Sequence, residues 1–233
     1  ILLILVLSFL FSGALQPDAP ALDRERILSQ LISNWLVNWH YSGRKIDDDF
    51  SAKSFAQYTK YLDNGKNFLV QADLDALKGY TLKVDDELLQ GDFSLPRQGR
   101  QLLRQRVLQV QGFAREILSK PFDFTLDEQI ELDSDKRETS RDLAQLRAWW
   151  NKRLKYFTLT QYSNLQKSAA AQKNGGAGPA GDFSPELEAR ARLTVGKSVE
   201  RLFGRLLQER SEEMQSLFFN SLTAIFDPHS QYF

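Results

Sequence analysis

The stretch Arg97–Leu118, RQGRQLLRQRVLQVQGFAREIL, decides the fold class of this chain. Its apolar residues recur every three or four positions, which is the period of an α-helix that buries one face. The opposite face carries arginines, and such a run is more typical of a solvated helix face than of a site for phosphate or an acidic partner. The buried face is predicted to hold Leu103, Val107, Val110, Phe113 and Ile117, and the basic turn holds Arg97, Arg100, Arg104 and Arg106.

The same period recurs along most of the chain and predicts an all-α, irregular multi-helix domain with at most one or two short strands. The strand candidates are Tyr80–Val84, whose apolar residues alternate, and the extended Pro121–Thr125; Asp85–Leu89 is equally compatible with a helix. Further helices are predicted from Leu22 to Trp39, Ser51 to Leu62, Ala72 to Leu77, Leu143 to Phe157, Leu187 to Leu206 and Met214 to Ile225.

Two helix details can be tested against a structure. Trp35 and Trp39 share a stripe with Leu28, Leu31 and Ile32, so we expect them to be core anchors rather than a ligand platform. Lys152, Arg153 and Lys155 are expected near the C-terminal end of their helix, where cations complement the dipole.

Three consecutive acids, Asp47–Asp49, suggest calcium, but the glycine and distal glutamate of an EF-hand loop do not follow them. We therefore expect these acids to precede a helix that is N-capped by Ser51. Further along, Ser184 is predicted to cap a helix with Pro185 at its first position. Between these helices, the Gly/Ala-rich residues 168–183 are predicted to form a long disordered loop.

The N-terminal residues Ile1–Phe11 are almost wholly apolar and are followed by the small residues Ser12, Gly13 and Ala14. This pattern predicts that residues 1–20 are what remains of a secretory signal peptide, which implies a periplasmic location and transient membrane association. A transmembrane anchor and a buried helix are the alternatives, although the run is shorter than the roughly 20 residues that span a bilayer.

Composition excludes several classes of function. Thirty basic and thirty acidic residues balance, which argues against binding of nucleic acid. The absence of cysteine excludes thiol catalysis and disulfides, and two histidines leave little for a zinc site. His229 lies beside Ser230, but adjacent residues rarely form a catalytic pair and no orienting carboxylate is identifiable. We therefore predict no catalytic, cofactor-binding or metal-binding residue in this chain.

Several blocks, in this order, resemble the N-terminal helical region of the tail-specific, or C-terminal processing, serine protease family of Gram-negative bacteria. The resemblance covers nearly the whole chain. The last block resembles the junction that leads into the PDZ domain of these enzymes. The blocks are Tyr41 with Asp47–Ser51, Tyr61–Asp63 with Lys66–Leu69, Asp73, Pro121–Phe124, Trp150–Tyr156 and Asp227–Tyr232.

After the predicted signal at residues 1–20, the resemblance implies that residues 21–227 are the helical domain and residues 228–233 the junction into a missing PDZ domain. It implies a periplasmic serine endopeptidase with a Ser/Lys dyad, whose PDZ domain captures apolar C-terminal tails of protein substrates. Helical regions of such enzymes scaffold the PDZ domain and dock an adaptor protein. The competing hypothesis is a free-standing periplasmic helical protein that only binds partners, without enzymatic activity.

Overall fold

The computed structural model describes residues 19–38, 43–174, 183–208 and 211–227. These residues form α-helices and one 3₁₀ turn, at Lys78–Tyr80 between the third and fourth helices, and no strand occurs among them. The all-α prediction is confirmed, and a single isolated bridge between Val70 and Ser140 is the one β-type contact in the described part. The helices are α1 (Ala19–Asn38), α2 (Asp48–Leu62), α3 (Gln71–Leu77), α4 (Val84–Gln90), α5 (Ser94–Leu118), α6 (Leu143–Asn174), α7 (Pro185–Leu207) and α8 (Ser211–Phe226).

Three long helices make the centre of the domain: α6 packs along α7, and α5 contacts both. On one side α8 packs against α2, and α4 bridges α2 and α1. One contiguous apolar core runs through these layers, as expected when each amphipathic face finds a partner. Its largest fully buried side chains include Tyr58, Phe93, Trp150, Phe203, Phe218 and Phe219.

The start of α2 differs from the sequence prediction. Asp47, not Ser51, is the N-cap, and its carboxylate accepts the Phe50 N–H at 3.1 Å. Asp48 and Asp49 therefore lie in the first turn, where they complement the helix dipole. Ser51 is buried within the helix and its Oγ accepts the Asp85 N–H at 2.8 Å, which ties α2 to the start of α4. The expectation of an N-cap at Ser51 is wrong because Asp47 caps the helix, four residues earlier in the chain.

Helix α1 buries only part of the predicted stripe, with Leu28 and Ile32 packed against the core. Leu36 is fully buried, whereas Trp35 is 44% exposed and Leu31 is 61% exposed. The prediction that Trp35 is a core anchor is wrong, because α1 carries apolar residues on two faces and the period alone does not say which one packs. Trp39 lies outside the described residues.

Helix α6 is longer than predicted and ends at Asn174, seven residues into the stretch expected to be a disordered loop. The alanines at 169–171 favour this extension, since alanine is the best helix former. Lys152, Arg153 and Lys155 therefore lie well inside the helix, and the prediction that they complement its C-terminal dipole is wrong. Residues 175–182 lie outside the described part of the chain.

Of the remaining local predictions, some are confirmed and one is wrong. Tyr80–Val84 forms a 3₁₀ turn and the start of α4, so the strand alternative is wrong and the helical one is confirmed. Gly91 forms the C-cap of helix α4, and its φ of 71° needs a residue that tolerates the left-handed region. Ser184 caps α7 as predicted, with its Oγ accepting the Leu187 N–H, and Pro185 takes the first helical position. Pro121–Thr125 lies in an irregular segment that forms no ladder.

Candidate functional site

A buried carboxylate organises the loop between α2 and α3. Asp63 accepts the N–H groups of Asn67, Phe68 and Leu69, each at 2.8 Å. Burial raises the pKa of Asp63, while these three donors and the nearby Arg137 oppose that rise. The loop needs this anchor because Lys66 adopts a left-handed φ of 48°, which is uncommon for a residue with a side chain.

Helix α6 grips the same loop through two adjacent turns. Trp150 donates its indole N–H to the Asn67 carbonyl at 2.7 Å, and the Arg153 guanidinium donates to the Asn67 side-chain oxygen. The Trp150 ring also packs against Phe68 and Phe203, with centroids 6.0 and 5.8 Å away. The α2–α3 loop, α6 and α7 are therefore held by one tryptophan.

The segment before α6 closes over this arrangement. Lys66 donates to the carbonyls of Ser134, at 2.7 Å, and Arg137. In return Arg137 donates to the Gly65 carbonyl, and its guanidinium lies 3.8 Å from the centre of the Trp149 ring. We call the set Asp63–Leu69, Arg137, Trp150 and Arg153 the clamp.

The electrostatics of the clamp are those of a structural site. Burial and repulsion from Arg137 lower the pKa of Arg153 to about 10, so its guanidinium stays protonated at neutral pH. Its charge is spread over three rings, with the Trp149, Trp150 and Phe157 centroids 4.9, 5.0 and 5.4 Å from the guanidinium carbon. Such contacts stabilise a partly desolvated cation without requiring a ligand.

Two further carboxylates have comparable structural roles. Asp73 forms a two-pronged ion pair with Arg106, at 2.8 Å on each prong, and also accepts the Val70 N–H at the start of α3. Glu87 accepts the Leu95 N–H through both oxygens, at 3.0 and 3.2 Å, and so caps α5. Burial, with a smaller contribution from Asp92, raises the pKa of Glu87 to about 7.

The Pro121–Phe124 block is also held by side chains. Glu188 accepts the Phe122 N–H at 3.2 Å, and Arg192 joins Glu188 to the Leu118 carbonyl at the end of α5. Phe124 packs against Tyr162 and Phe183. Several residues of the blocks that carry the family resemblance therefore make internal contacts of the helical domain, among them Asp63, Asp73, Phe124 and Trp150.

Two open grooves lie on the described surface of the domain. One groove of about 630 Å³ lies between α5, Pro121–Leu126 and α6. Its charged residues neutralise one another, with Arg147 2.7 Å from Glu116 and Lys155 2.5 Å from Glu128. A second groove, of about 340 Å³, is lined by clamp residues including Asp63 and Lys66.

No group of metal-ligating side chains comes together within the described ranges. His40, His229 and Ser230 lie outside them. The absence of catalytic, cofactor-binding and metal-binding residues stays a prediction.

These features define an all-α domain whose notable polar residues join helices to loops. The chain belongs to the family described as the tail specific protease N-terminal domain, whose family model matches residues 32–233. A curated relative, the tail-specific protease of Haemophilus influenzae, is 27% identical over 215 residues. That match covers 91% of this chain and 28% of the relative, so the chain spans less than a third of the relative's length.

The predicted family resemblance is thereby confirmed. Within the part of the chain that the structure covers, none of the helices has the length and apolar character needed to cross a bilayer.

Proposed function

We propose that this chain is the non-catalytic helical scaffold of a periplasmic serine endopeptidase that trims or degrades proteins with apolar C-terminal tails. The support is the family membership together with the 28% share of the Haemophilus protease that the chain matches. Several residues of the family blocks, among them Asp63, Asp73 and Trp150, are engaged in packing and backbone contacts. The Ser/Lys dyad and the PDZ domain that captures substrates are expected in the part of the parent enzyme beyond this sequence.

The observation that carries a scaffold role is the outer face of α1. Ile27, Leu31 and Trp35 are spaced by four residues, so they form one stripe, and each is at least 44% exposed. Leu36 on the other side of the same helix is fully buried against the domain. An apolar stripe on a helix that is already packed is typical of an interface with a further structure.

We propose that the remainder of the parent protease covers this stripe. The matched relative is more than three times as long as the aligned part, and a scaffold must contact the domains that it holds. The same stripe would suit an adaptor protein, which is the occupant expected if the chain is a free-standing binding protein. Export to the periplasm belongs to this proposal, and residues 1–18, which would direct it, lie outside the described part.

The first experiment is to sequence the locus beyond the codon for Phe233. An open frame encoding a PDZ domain and a serine/lysine protease core supports the scaffold proposal. A stop codon within a few residues favours the free-standing binding protein. Cell fractionation then tests the location, because a cytoplasmic protein would contradict export.

The second experiment uses the full-length product of that locus. We expect Leu31→Asp with Trp35→Asp to lower kcat/KM on an apolar-tailed reporter peptide by about tenfold or more, since a charge in an apolar interface core is costly. Leu193→Asp is the control for the added charge, because Leu193 is about as exposed as Leu31 but lies on α7, away from the stripe. Equal activity of both variants would contradict the proposed interface.

The 233-residue chain alone should not cleave the same reporter. Its activity is measured with purified protein carried through a second, stringent purification. Cleavage that survives this step would show that the chain holds catalytic residues and would overturn the scaffold proposal.

A further inference from the structure

The segment Leu126–Leu132 runs alongside α6 in the opposite direction. The Glu131 carbonyl accepts the Trp149 indole N–H, and the Gln129 carbonyl accepts the Lys152 ammonium, each at 3.3 Å. One residue earlier, Glu128 pairs with Lys155 at 2.5 Å. Trp149 and Lys155 are about 9 Å apart along the helix axis. Three residues of the segment cover this distance at about 3 Å each, which is the rise of a β-strand.

One edge of this extended segment is unpaired. In a strand, successive residues direct their N–H and C=O groups to opposite edges. The carbonyls of 129 and 131 face α6, so the backbone groups of Glu128, Ile130 and Leu132 face away from it. Among the described residues, none from 126 to 132 takes part in a backbone–backbone hydrogen bond. The outer edge therefore offers a row of free donors and acceptors.

The two faces of the segment differ sharply in polarity. The even-numbered face is largely apolar, with Leu126 59% and Leu132 46% exposed. It continues onto Tyr156 and Leu159 of α6, which line a shallow groove of about 110 Å³ together with Ile130. The odd-numbered face is entirely polar and consists of Asp127, Gln129, Glu131 and Asp133.

We propose that this edge binds an extended segment of a second protein as an added β-strand, and that the bound segment alternates basic and apolar residues. Main-chain hydrogen bonds to Glu128, Ile130 and Leu132 would supply affinity, as in other cases of strand addition. The apolar side chains of the bound strand would meet Leu126 and Ile130, and its basic ones would meet the acidic face.

Charge favours a basic strand of another protein over a second copy of this chain or another part of the chain itself. Residues 121–135 contain no lysine or arginine. Glu128 pairs with Lys155 and Asp133 with Lys136, and the other acids are Asp123, Asp127, Glu131 and Asp135. Pairing with the same segment of a second copy would therefore oppose like charges. The chain's own residues 1–18, 175–182 and 228–233 also contain no lysine or arginine, so they lack the complementary charge. A basic strand from another protein fits the edge in both charge and polarity.

The test is a fluorescence anisotropy titration of the 233-residue chain with a labelled peptide of alternating Lys and Val. A peptide of the same composition in a Lys-Lys-Val-Val order is the control, since it cannot present two distinct faces as a strand. We expect the alternating peptide to bind about tenfold more tightly than the control, with affinity falling as salt is added. Equal affinity of the two peptides would reduce the effect to charge attraction and overturn the proposal.

A matched pair of prolines tests the edge itself. Ile130→Pro removes an N–H from the open edge, whereas Gln129→Pro removes one on the α6 side. We expect Ile130→Pro to weaken binding of the peptide by about tenfold and Gln129→Pro by no more than about twofold. Ile130→Ala removes the same side chain but keeps the N–H, so it measures how much of the loss comes from the side chain alone. Similar losses in both proline variants would contradict the edge assignment, and circular dichroism checks that each variant is folded.

A measurement on the unmutated chain removes the dependence on variants. Peptide labelled with ¹³C at its backbone carbonyls should show the amide I band of intermolecular β-pairing when bound. A bound peptide without that band would overturn strand addition. Sedimentation velocity without peptide tests whether a second copy of the chain occupies the edge. Self-association of the parent chain that Ile130→Pro abolishes would assign the edge to a second copy and overturn the proposal.

Discussion

The clamp loop Asp63–Leu69 and the segment Leu126–Leu132 are both irregular, yet they are held in opposite ways. In the clamp loop, one carboxylate binds three N–H groups, and Trp150 and Arg153 bind both oxygens of Asn67. In the segment, two carbonyls contact α6 and the other edge is unpaired. An irregular stretch is thus fixed where side chains replace the missing backbone ladder, and it remains available for binding where they do not.

Helix α6 contacts both stretches from neighbouring positions. Trp150 and Arg153 point into the clamp, whereas Trp149 and Lys152 reach the segment. Adjacent residues on a helix are about 100° apart, so one helix can bury one face and hold a surface strand with the next. Damage to the clamp should therefore cost much more stability than damage to the exposed segment.

The largest expected effect on the free energy of unfolding is that of Trp150→Ala, which leaves a cavity in the clamp. Trp150 is 1% exposed, and its loss removes the packing against Phe68 and Phe203 and leaves the Asn67 carbonyl unpaired. We expect the free energy of unfolding to fall by about 3–5 kcal/mol, as measured by urea denaturation. Leu193→Ala removes a side chain that is 66% exposed and should change it by less than about 1 kcal/mol. Comparable losses in the two variants would contradict the buried and exposed assignments.

Asp63→Ala should have the next largest effect. It leaves the N–H groups of Asn67, Phe68 and Leu69 without their acceptor in a buried loop. We expect a loss of about 3 kcal/mol in the free energy of unfolding, since each unsatisfied buried donor costs about 1–3 kcal/mol. Asp63→Asn retains an acceptor of the same shape and should lose less. If the alanine variant were as stable as the asparagine variant, the carboxylate would not be what orders the loop.

The helices could be predicted from the sequence because their cause is local, whereas the clamp could not. The period of α5 and the Ser184–Pro185 start of α7 are readable from neighbouring residues. Trp150 and Asn67 are 83 positions apart, and nothing near either residue identifies the other. The resemblance selected Asp63, Lys66–Leu69, Trp150 and Arg153 of the clamp without giving their role, and it did not select Arg137. Trp35 was placed wrongly because both faces of α1 are apolar, so the choice between them depends on what α4 covers.

The α4–α5 turn provides a third case, in which one carboxylate again binds a backbone N–H. Glu87 has a pKa of about 7 in the folded chain and near 4.5 when unfolded. The folded state takes up a proton first as the pH falls, so the free energy of unfolding should rise by about 2 kcal/mol between pH 8 and pH 5. Glu87→Gln, which keeps an acceptor for Leu95 without the charge, should be more stable than the parent chain at pH 8 and should show a smaller rise. If the free energy of unfolding of this variant rose with falling pH as steeply as that of the parent chain, the titrating group would be a residue other than Glu87.

Asp127→Ala, in the open segment, should have the smallest effect. Asp127 is exposed and its carboxylate makes none of the contacts described above, so the free energy of unfolding should change by less than about 0.5 kcal/mol. Hydrogen exchange on the same samples should show fast exchange at Glu128, Ile130 and Leu132, and slow exchange at Phe68 and Leu69 in both proteins. Slow exchange at the three segment amides would mean that the outer edge is already covered. An amide without an acceptor has nothing to protect it from solvent, so slow exchange would show that these amides have acceptors. The clamp loop and the segment would then differ in what binds their backbone groups, and not in whether those groups are bound.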